Sequence, residues 1–181
     1  MTTLAGLSSW HKVPELRRRI FFTLALLAVY RVGVFITTPG VDRNAMRQFI
    51  SQSGGLLGFF NLFSGGALGM MSIFALGIMP YISASIILQL MGMVYQPISE
   101  MKKEGEAGRR KLDQYTRYGT IALSAFQAFG IAKFIESQSS GEIGAGIVNQ
   151  PGIGFELMTV ITLTTGTAFL MWLGEQITER G

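Results

Sequence analysis

The sequence predicts an all-α protein, a polytopic bundle of transmembrane helices. Hydrophobic residues make up 49% of its 181 residues and charged residues only 14%, whereas soluble domains carry roughly 25% charged residues. The mean hydropathy is +0.39, and 52 consecutive residues, 48–99, hold no charged side chain. Basic residues cluster on the flanks of the apolar segments, as is typical of membrane proteins that cross the bilayer several times.

The first apolar segment, 20–36, predicts the first transmembrane helix. Four cations precede it, namely Lys12, Arg17, Arg18 and Arg19. Short basic segments favour the cytoplasmic side, so the N-terminus is expected to be cytoplasmic. The residues TTPG follow without a small-residue cleavage site, and the segment is therefore interpreted as a retained helix rather than a signal peptide.

The charge-free run 48–99 must fold back on itself. As one helix it would reach about 78 Å, although the hydrocarbon core is only about 30 Å thick. The loop that follows is basic, with Lys102, Lys103, Arg109, Arg110, Lys111 and Arg117. Both basic clusters share the cytoplasmic side only if the run crosses an odd number of times, and one crossing fits its length.

The single crossing is assigned to 71–94, because the preceding segment 56–70 is too rich in glycine to hold a span. Each glycine costs roughly 1 kcal/mol in a helix interior. Segment 56–70 is therefore predicted to be re-entrant, entering the membrane and leaving on the same side. An amphipathic helix lying at the interface is the alternative, but the segment lacks the Lys/Arg face of such helices.

Three further segments complete the predicted topology. A cytoplasmic loop is expected at 95–117, a third transmembrane helix at 118–135 and a fourth at 155–173. The connection between the last two helices holds no Lys or Arg, whereas Arg180 follows the fourth helix. The C-terminus is thus also expected on the cytoplasmic side.

The residue inventory argues against an enzyme. The sequence contains no cysteine and a single histidine, His11, so a serine has no imidazole base within the spans and no metal-binding motif can be drawn. No cofactor or metal is expected. The net charge of +4 is interpreted as a record of membrane orientation, and direct contact with nucleic acid is not expected.

The predicted helix 71–94 carries the most unusual residues. Pro80 cannot donate a hydrogen bond to Leu76, and Gly77 lies in the same turn, so a helix bend is expected at Gly77 and Pro80. Ile78 and Ile82 share one helix face. From the residues alone, ordinary packing against lipid or neighbouring helices is the simpler interpretation of these isoleucines.

Four motifs in this sequence closely resemble the SecY family, the channel subunits of the bacterial protein-translocation complex. They are FNLFSGGAL at 60–68, SIFALGIMPYISASII at 72–87, KKEGEAGRRKLDQYTRYGT at 102–120 and FLMWLGEQITERG at 169–181. The resemblance begins near Glu15 and continues to Gly181. It implies the N-terminal part of an inverted-repeat channel, its first four helices, and a sequence that continues into a fifth helix.

The resemblance also implies roles for individual residues. Segment 56–70 would be the plug that closes the outer funnel of the channel, and it would do so through Leu56, Leu57, Phe59, Phe60, Leu62, Phe63, Gly65 and Gly66. Ile78 and Ile82 would contribute to the hydrophobic pore ring. Ser83 and Gln127 would line this half's side of a lateral gate.

The function implied by the resemblance is passive. The channel would pass secretory proteins across the bacterial inner membrane and release membrane helices into it, driven by a SecA-like ATPase motor or a ribosome. SecE-like and SecG-like subunits, the translocating polypeptide and membrane lipids are the implied partners. Two alternatives stay open: a small-solute secondary transporter with a discontinuous helix at Gly77 to Pro80, and a purely structural subunit.

Overall fold

The computed structural model describes residues 14–53, 55–139 and 146–181, so His11 and Lys12 lie outside the described residues. In that part of the chain there are seven α-helices and no β-strand, which confirms the all-α class. The helices are α1 (Pro14–Val34), α2 (Arg43–Ser53), α3 (Gly55–Phe63), α4 (Met79–Val94), α5 (Gln96–Lys103), α6 (Glu106–Ser139) and α7 (Ile153–Arg180).

Two of the described helices, α6 and α7, are long and apolar enough to cross a membrane. Helices α4 and α5 provide a third candidate if they count as one span bent by 99°. Helix α1 does not qualify by itself, because Arg17–Arg19 and Arg31 confine its charge-free part to 20–30. The first span at 20–36 thus stays a prediction.

The predicted crossing at 71–94 is helical only from Met79 onward. Met71, with φ of 44°, and Gly77, with φ of 58°, adopt left-handed backbone conformations that a helix cannot contain. Pro80 lies in the first turn of α4, where a missing N–H costs no hydrogen bond. Gly77 and Pro80 therefore start a helix, whereas the sequence predicted that they would bend one.

Helices α6 and α7 form an antiparallel pair tied by an ion pair near each end. Arg117 Nε donates to Glu175 Oε1 at 2.8 Å, and Lys133 Nζ donates to Glu156 Oε1 at 2.6 Å. The two cations are about 24 Å apart along α6, close to the thickness of the hydrocarbon core. Most of the predicted loop 95–117 is helical, in α5 and the first turns of α6.

Residues 72–76 form the centre of the fold, since they thread between α1 and α7. A Cβ added to Gly33 of α1 would overlap the Phe74 ring, and one added to Gly166 of α7 would overlap the Ile73 carbonyl oxygen. Only glycine permits this approach on both sides. The threaded residues are also deeply buried: Ser72, Phe74, Ala75 and Leu76.

The core has two hydrophobic clusters, one on either side of residues 72–76. The larger one joins α2, α6, the start of α7 and residues 147–148, with Met46, Phe49, Ile50, Met71, Ala128, Ala132, Ile135, Ile147, Phe155 and Leu163 among its members. The smaller one joins α1 to the end of α7 through Val34, Ala67, Phe74, Leu170 and Leu173.

Candidate functional site

The segment 38–71, here called the returning segment, leaves the bundle and comes back at one place. Thr38 N donates to Met71 O at 2.8 Å, and Ile73 N donates to Ile36 O at 3.0 Å. These bonds flank an antiparallel bridge between Thr37 and Ser72. Since Val34 ends α1, the returning segment begins and finishes at this end of the bundle, which we call the outer end.

Neither described helix of the returning segment is long enough to cross a membrane. Helix α2 has 11 residues and α3 has 9, which corresponds to about 16 Å and 14 Å against a hydrocarbon core of about 30 Å. Helix α2 is attached to the larger core cluster through Met46, Phe49 and Ile50. Helix α3 then leads into a tight turn.

The turn after α3 satisfies its own backbone. Asn61 accepts from Gly66 N through its carbonyl oxygen at 2.8 Å and from Gly69 N through its side-chain oxygen at 2.6 Å. Gly65 and Gly66 have φ of 62° and 87°, conformations that favour glycine. Internal pairing of this kind is what irregular backbone needs in apolar surroundings.

The side chains expected to form the plug are described only in part. Phe59 is 56% exposed and Leu62 is 79% exposed. The side chains of Leu56, Leu57, Phe60 and Phe63 lie outside the described part of the structure. The packing of these side chains in a closed channel thus stays a prediction.

An apolar cavity of about 490 Å³ lies next to the turn. It brings together the two predicted pore residues, Ile78 and Ile82, and the two predicted gate residues, Ser83 and Gln127. The returning segment lines the same cavity with Met46, Phe49, Ile50, Ser64 and Leu68. The remaining lining residues are Ala75, Leu76, Gly77, Met79, Ile131, Phe134 and Ile135. Residues that are far apart in the sequence thus share one wall.

A second cavity, of about 510 Å³, lies between α4, α6 and α7. It is charged, with Arg109, Asp113, Arg117, Glu175 and Glu179 in its lining. Ile78 and Ile82 line this cavity as well as the apolar one. These isoleucines therefore lie where an apolar space at the outer end meets a charged space towards the other end.

The two isoleucines are exposed in this structure, like many apolar residues on the surface of the bundle. Ile78 is 56% exposed and Ile82 is 40% exposed. Ser83 and Gln127 are half-buried beside them on α4 and α6. Ile78 and Ile82 form an apolar step where the two cavities meet, and such a step offers water and ions no hydrogen bond. Their role in a pore stays a prediction.

The sequence did not predict the aromatic stack that holds residues 72–76 in place. Phe74 stacks on Tyr30 with ring centroids 5.6 Å apart and on Phe169 with centroids 6.0 Å apart. Phe169 in turn contacts Trp172 at 5.7 Å. These residues are scattered among many other apolar side chains, so no spacing in the sequence marks them as a set.

The long apolar helices, the returning segment and the hydrophobic step define a polytopic α-helical membrane protein. The family model described as SecY matches residues 72–181. The chain therefore belongs to the SecY family, as its motifs predicted.

Several curated relatives are similar to almost the whole chain. The Protein translocase subunit SecY of Buchnera aphidicola subsp. Acyrthosiphon kondoi is 54% identical over 168 residues, covering 92% of this chain and 46% of that protein. The relative from Escherichia coli strain K12 is 53% identical over 168 residues, which cover 92% of this chain and 37% of that protein. The relative from Vibrio cholerae is 51% identical over 170 residues, which cover 93% of this chain and 37% of that protein. The chain thus spans less than half the length of these relatives.

Proposed function

We propose that this chain forms the N-terminal part of a protein-conducting channel in the bacterial inner membrane. Secretory proteins would cross the membrane through it, and membrane helices would leave it sideways. The observation that carries the proposal is the position of Ile78 and Ile82 between an apolar and a charged cavity. The relatives' name, protein translocase subunit, supports the same conclusion.

The mechanism requires no bond chemistry from this chain. Ile78 and Ile82 form this half's share of a flexible, dewetted constriction that a passing polypeptide pushes apart. The driving force comes from a SecA-like ATPase or a translating ribosome. SecE-like and SecG-like subunits complete the complex, and the basic N-terminal segment sets the N-terminus in the cytoplasm.

Segment 56–70 acts as the plug. Its residues Ser64 and Leu68 line the apolar cavity that Ile78 and Ile82 also line. Because the returning segment is anchored at both ends by backbone hydrogen bonds, part of it can leave the cavity without disturbing the helices. Displacement of the plug opens the path, and its return closes the path.

The plug role is tested in a hybrid channel, in which this chain replaces the matched part of the Escherichia coli relative. Deleting 56–70 should raise the resting ion conductance of the hybrid in planar bilayers, since the outer cavity loses its cover. A second variant, which replaces 56–63 by a Gly/Ser linker, keeps Ala67 and Met71 in the core. Unchanged conductance in both folded variants would contradict the plug role and favour a purely structural subunit.

Ser83 and Gln127 line this half's side of the lateral gate. Both reach the apolar cavity from α4 and α6, and isolated polar groups in an apolar seam allow it to open and close more readily than continuous packing would. Cysteines at either position should form disulfides with cysteines across the seam in the closed hybrid, as judged by gel mobility. Crosslinking that is equally efficient from Phe126, which is 77% exposed on α6, would contradict this assignment.

The secondary-transporter alternative receives no support from the site. A discontinuous helix in such a carrier presents its backbone to a substrate or ion, usually with charged or cation-coordinating groups near the midplane. The cavity beside Gly77 is lined almost entirely by apolar residues. Within the described ranges, no group of three His, Cys, Asp or Glu residues could hold a metal ion.

A further inference from the structure

We propose that Tyr30 is the clasp of the plug: its hydroxyl holds the movable part of the returning segment against α1. Tyr30 Oη donates to Ser64 O at 3.2 Å in a partly buried position. The proposal rests on the plug role argued above and adds the residue that sets the plug's resting position. Three features of the described residues carry it.

The first feature is that Tyr30 belongs to the rigid frame. Its ring stacks on Phe74 at an interplanar angle of 16°, and Phe74 stacks on Phe169 at 3°. Phe74 is 2% exposed and is enclosed by Gly33 and Gly166. The phenol ring is therefore held in place independently of its hydroxyl.

The second feature is that both flanks of α3 are fixed in the core. On one side, α2 buries Phe49 and Ile50; on the other, Ala67 and Met71 are fully buried. No described side chain between them, in 55–66, belongs to either core cluster, so we take this part to be the one that moves. The movable part of the plug is therefore shorter than the predicted segment 56–70.

The third feature is the position of left-handed glycines at both ends of this movable part. Gly55 has φ of 54° at one end, and Gly65 and Gly66 have φ of 62° and 87° at the other. Glycine crosses between conformations that other residues rarely adopt, so these positions are suited to be hinges. Ser64 lies directly before the second hinge, where the hydrogen bond from Tyr30 ties the residue that follows α3 to the frame.

The restraint has the strength that a reversible closure needs. A single neutral hydrogen bond contributes modestly to stability, so its loss should shift the closed-to-open ratio by about two- to tenfold. The hydroxyl of Tyr30 thus biases the plug towards closure without locking it. Removal of the hydroxyl alone should loosen the plug and leave the aromatic stack intact.

The test uses Tyr30→Phe in the hybrid channel, with Tyr115→Phe as the matched control. Tyr115 is 53% exposed on α6, far from the returning segment. Two quantities are measured: the resting ion conductance, and the rate at which a membrane-impermeant maleimide labels Ser64→Cys in an otherwise cysteine-free hybrid. Ser64 is half-buried and lines the apolar cavity. Tyr30→Phe should raise both by about two- to tenfold at unchanged channel abundance, and Tyr115→Phe should raise neither.

The possible outcomes separate this inference from the proposed function. If replacing 56–63 raises the conductance while Tyr30→Phe behaves like Tyr115→Phe, the clasp is wrong and the plug stands. If neither the replacement nor Tyr30→Phe changes the conductance, the plug role fails and the clasp fails with it. A drop in abundance caused by Tyr30→Phe, without a rise in labelling of the surviving channels, would show a merely structural tyrosine and would also overturn the clasp.

Discussion

The double variant Ile78→Ser with Ile82→Ser is expected to increase the resting ion leak of the hybrid channel by on the order of tenfold or more. The two isoleucines lie where the charged cavity meets the apolar one. Hydroxyl groups at both positions would hydrate this step and remove the dewetted barrier. Planar-bilayer conductance in the absence of substrate measures the effect.

Two matched variants show whether the leak depends on these positions. Ile78→Val with Ile82→Val keeps the step apolar and should leave the leak nearly unchanged. Ile86→Ser with Ile87→Ser makes the same chemical change further along α4, at residues that are about half exposed and line neither cavity. A leak that rises equally in both serine pairs would contradict a localised constriction.

The second large effect is expected from Gly166→Ala. The added methyl group would overlap the Ile73 carbonyl oxygen, which belongs to backbone that is itself enclosed between α1 and α7. Overpacking of this kind typically costs about 1–3 kcal/mol of folding free energy. We expect a lower thermal unfolding midpoint in detergent and reduced accumulation of the hybrid in membranes.

Gly130→Ala is the matched control for this prediction. Gly130 lies within α6, and a Cβ there meets nothing within 4 Å. Alanine is the better helix former by about 1 kcal/mol, so this substitution should leave stability unchanged or slightly increased. Equal destabilisation by the two substitutions would show that the close approach at Gly166 does not hold the fold together.

The class of fold could be predicted from composition and charge, because a membrane imposes its constraints on whole segments. Helices α6 and α7 contain the predicted spans 118–135 and 155–173, since long apolar runs between charged flanks leave few alternatives. The family could be predicted from four motifs, and the match over 72–181 confirms it.

Helix boundaries were less predictable, because local backbone conformation decides them. Gly77 and Pro80 predicted a bend within the apolar run 71–94, but nothing in the run indicated that residues 71–76 would lie outside a helix. Met71 adopts a positive φ that is uncommon for a residue with a side chain, and Ser72 to Leu76 follow a path set by their neighbours in α1 and α7. Hydropathy alone does not distinguish such buried irregular backbone from helix.

The roles assigned to the site residues stay predictions, and the residues that hold the site in place were not predicted. Ile78, Ile82, Ser83 and Gln127 were selected by resemblance, and they line one cavity. By contrast, the contacts of Tyr30 with Phe74 and Ser64 join residues more than thirty positions apart along the chain. Such contacts depend on the three-dimensional path of the returning segment, which no periodicity in the sequence encodes.

The central claim is that the returning segment closes on itself at the outer end without crossing the membrane. Thr37 and Ser72 face each other as an antiparallel bridge flanked by hydrogen bonds, and the Cα atoms of such a pair lie about 4.5 Å apart, within reach of a disulfide. Thr37→Cys with Ser72→Cys should therefore form a disulfide in membranes of cells that express the cysteine-free hybrid, detected by mass spectrometry of unreduced peptides. Thr37→Cys with Met93→Cys, at the far end of α4, should not. A disulfide only in the second pair, or in neither pair, would contradict the claim.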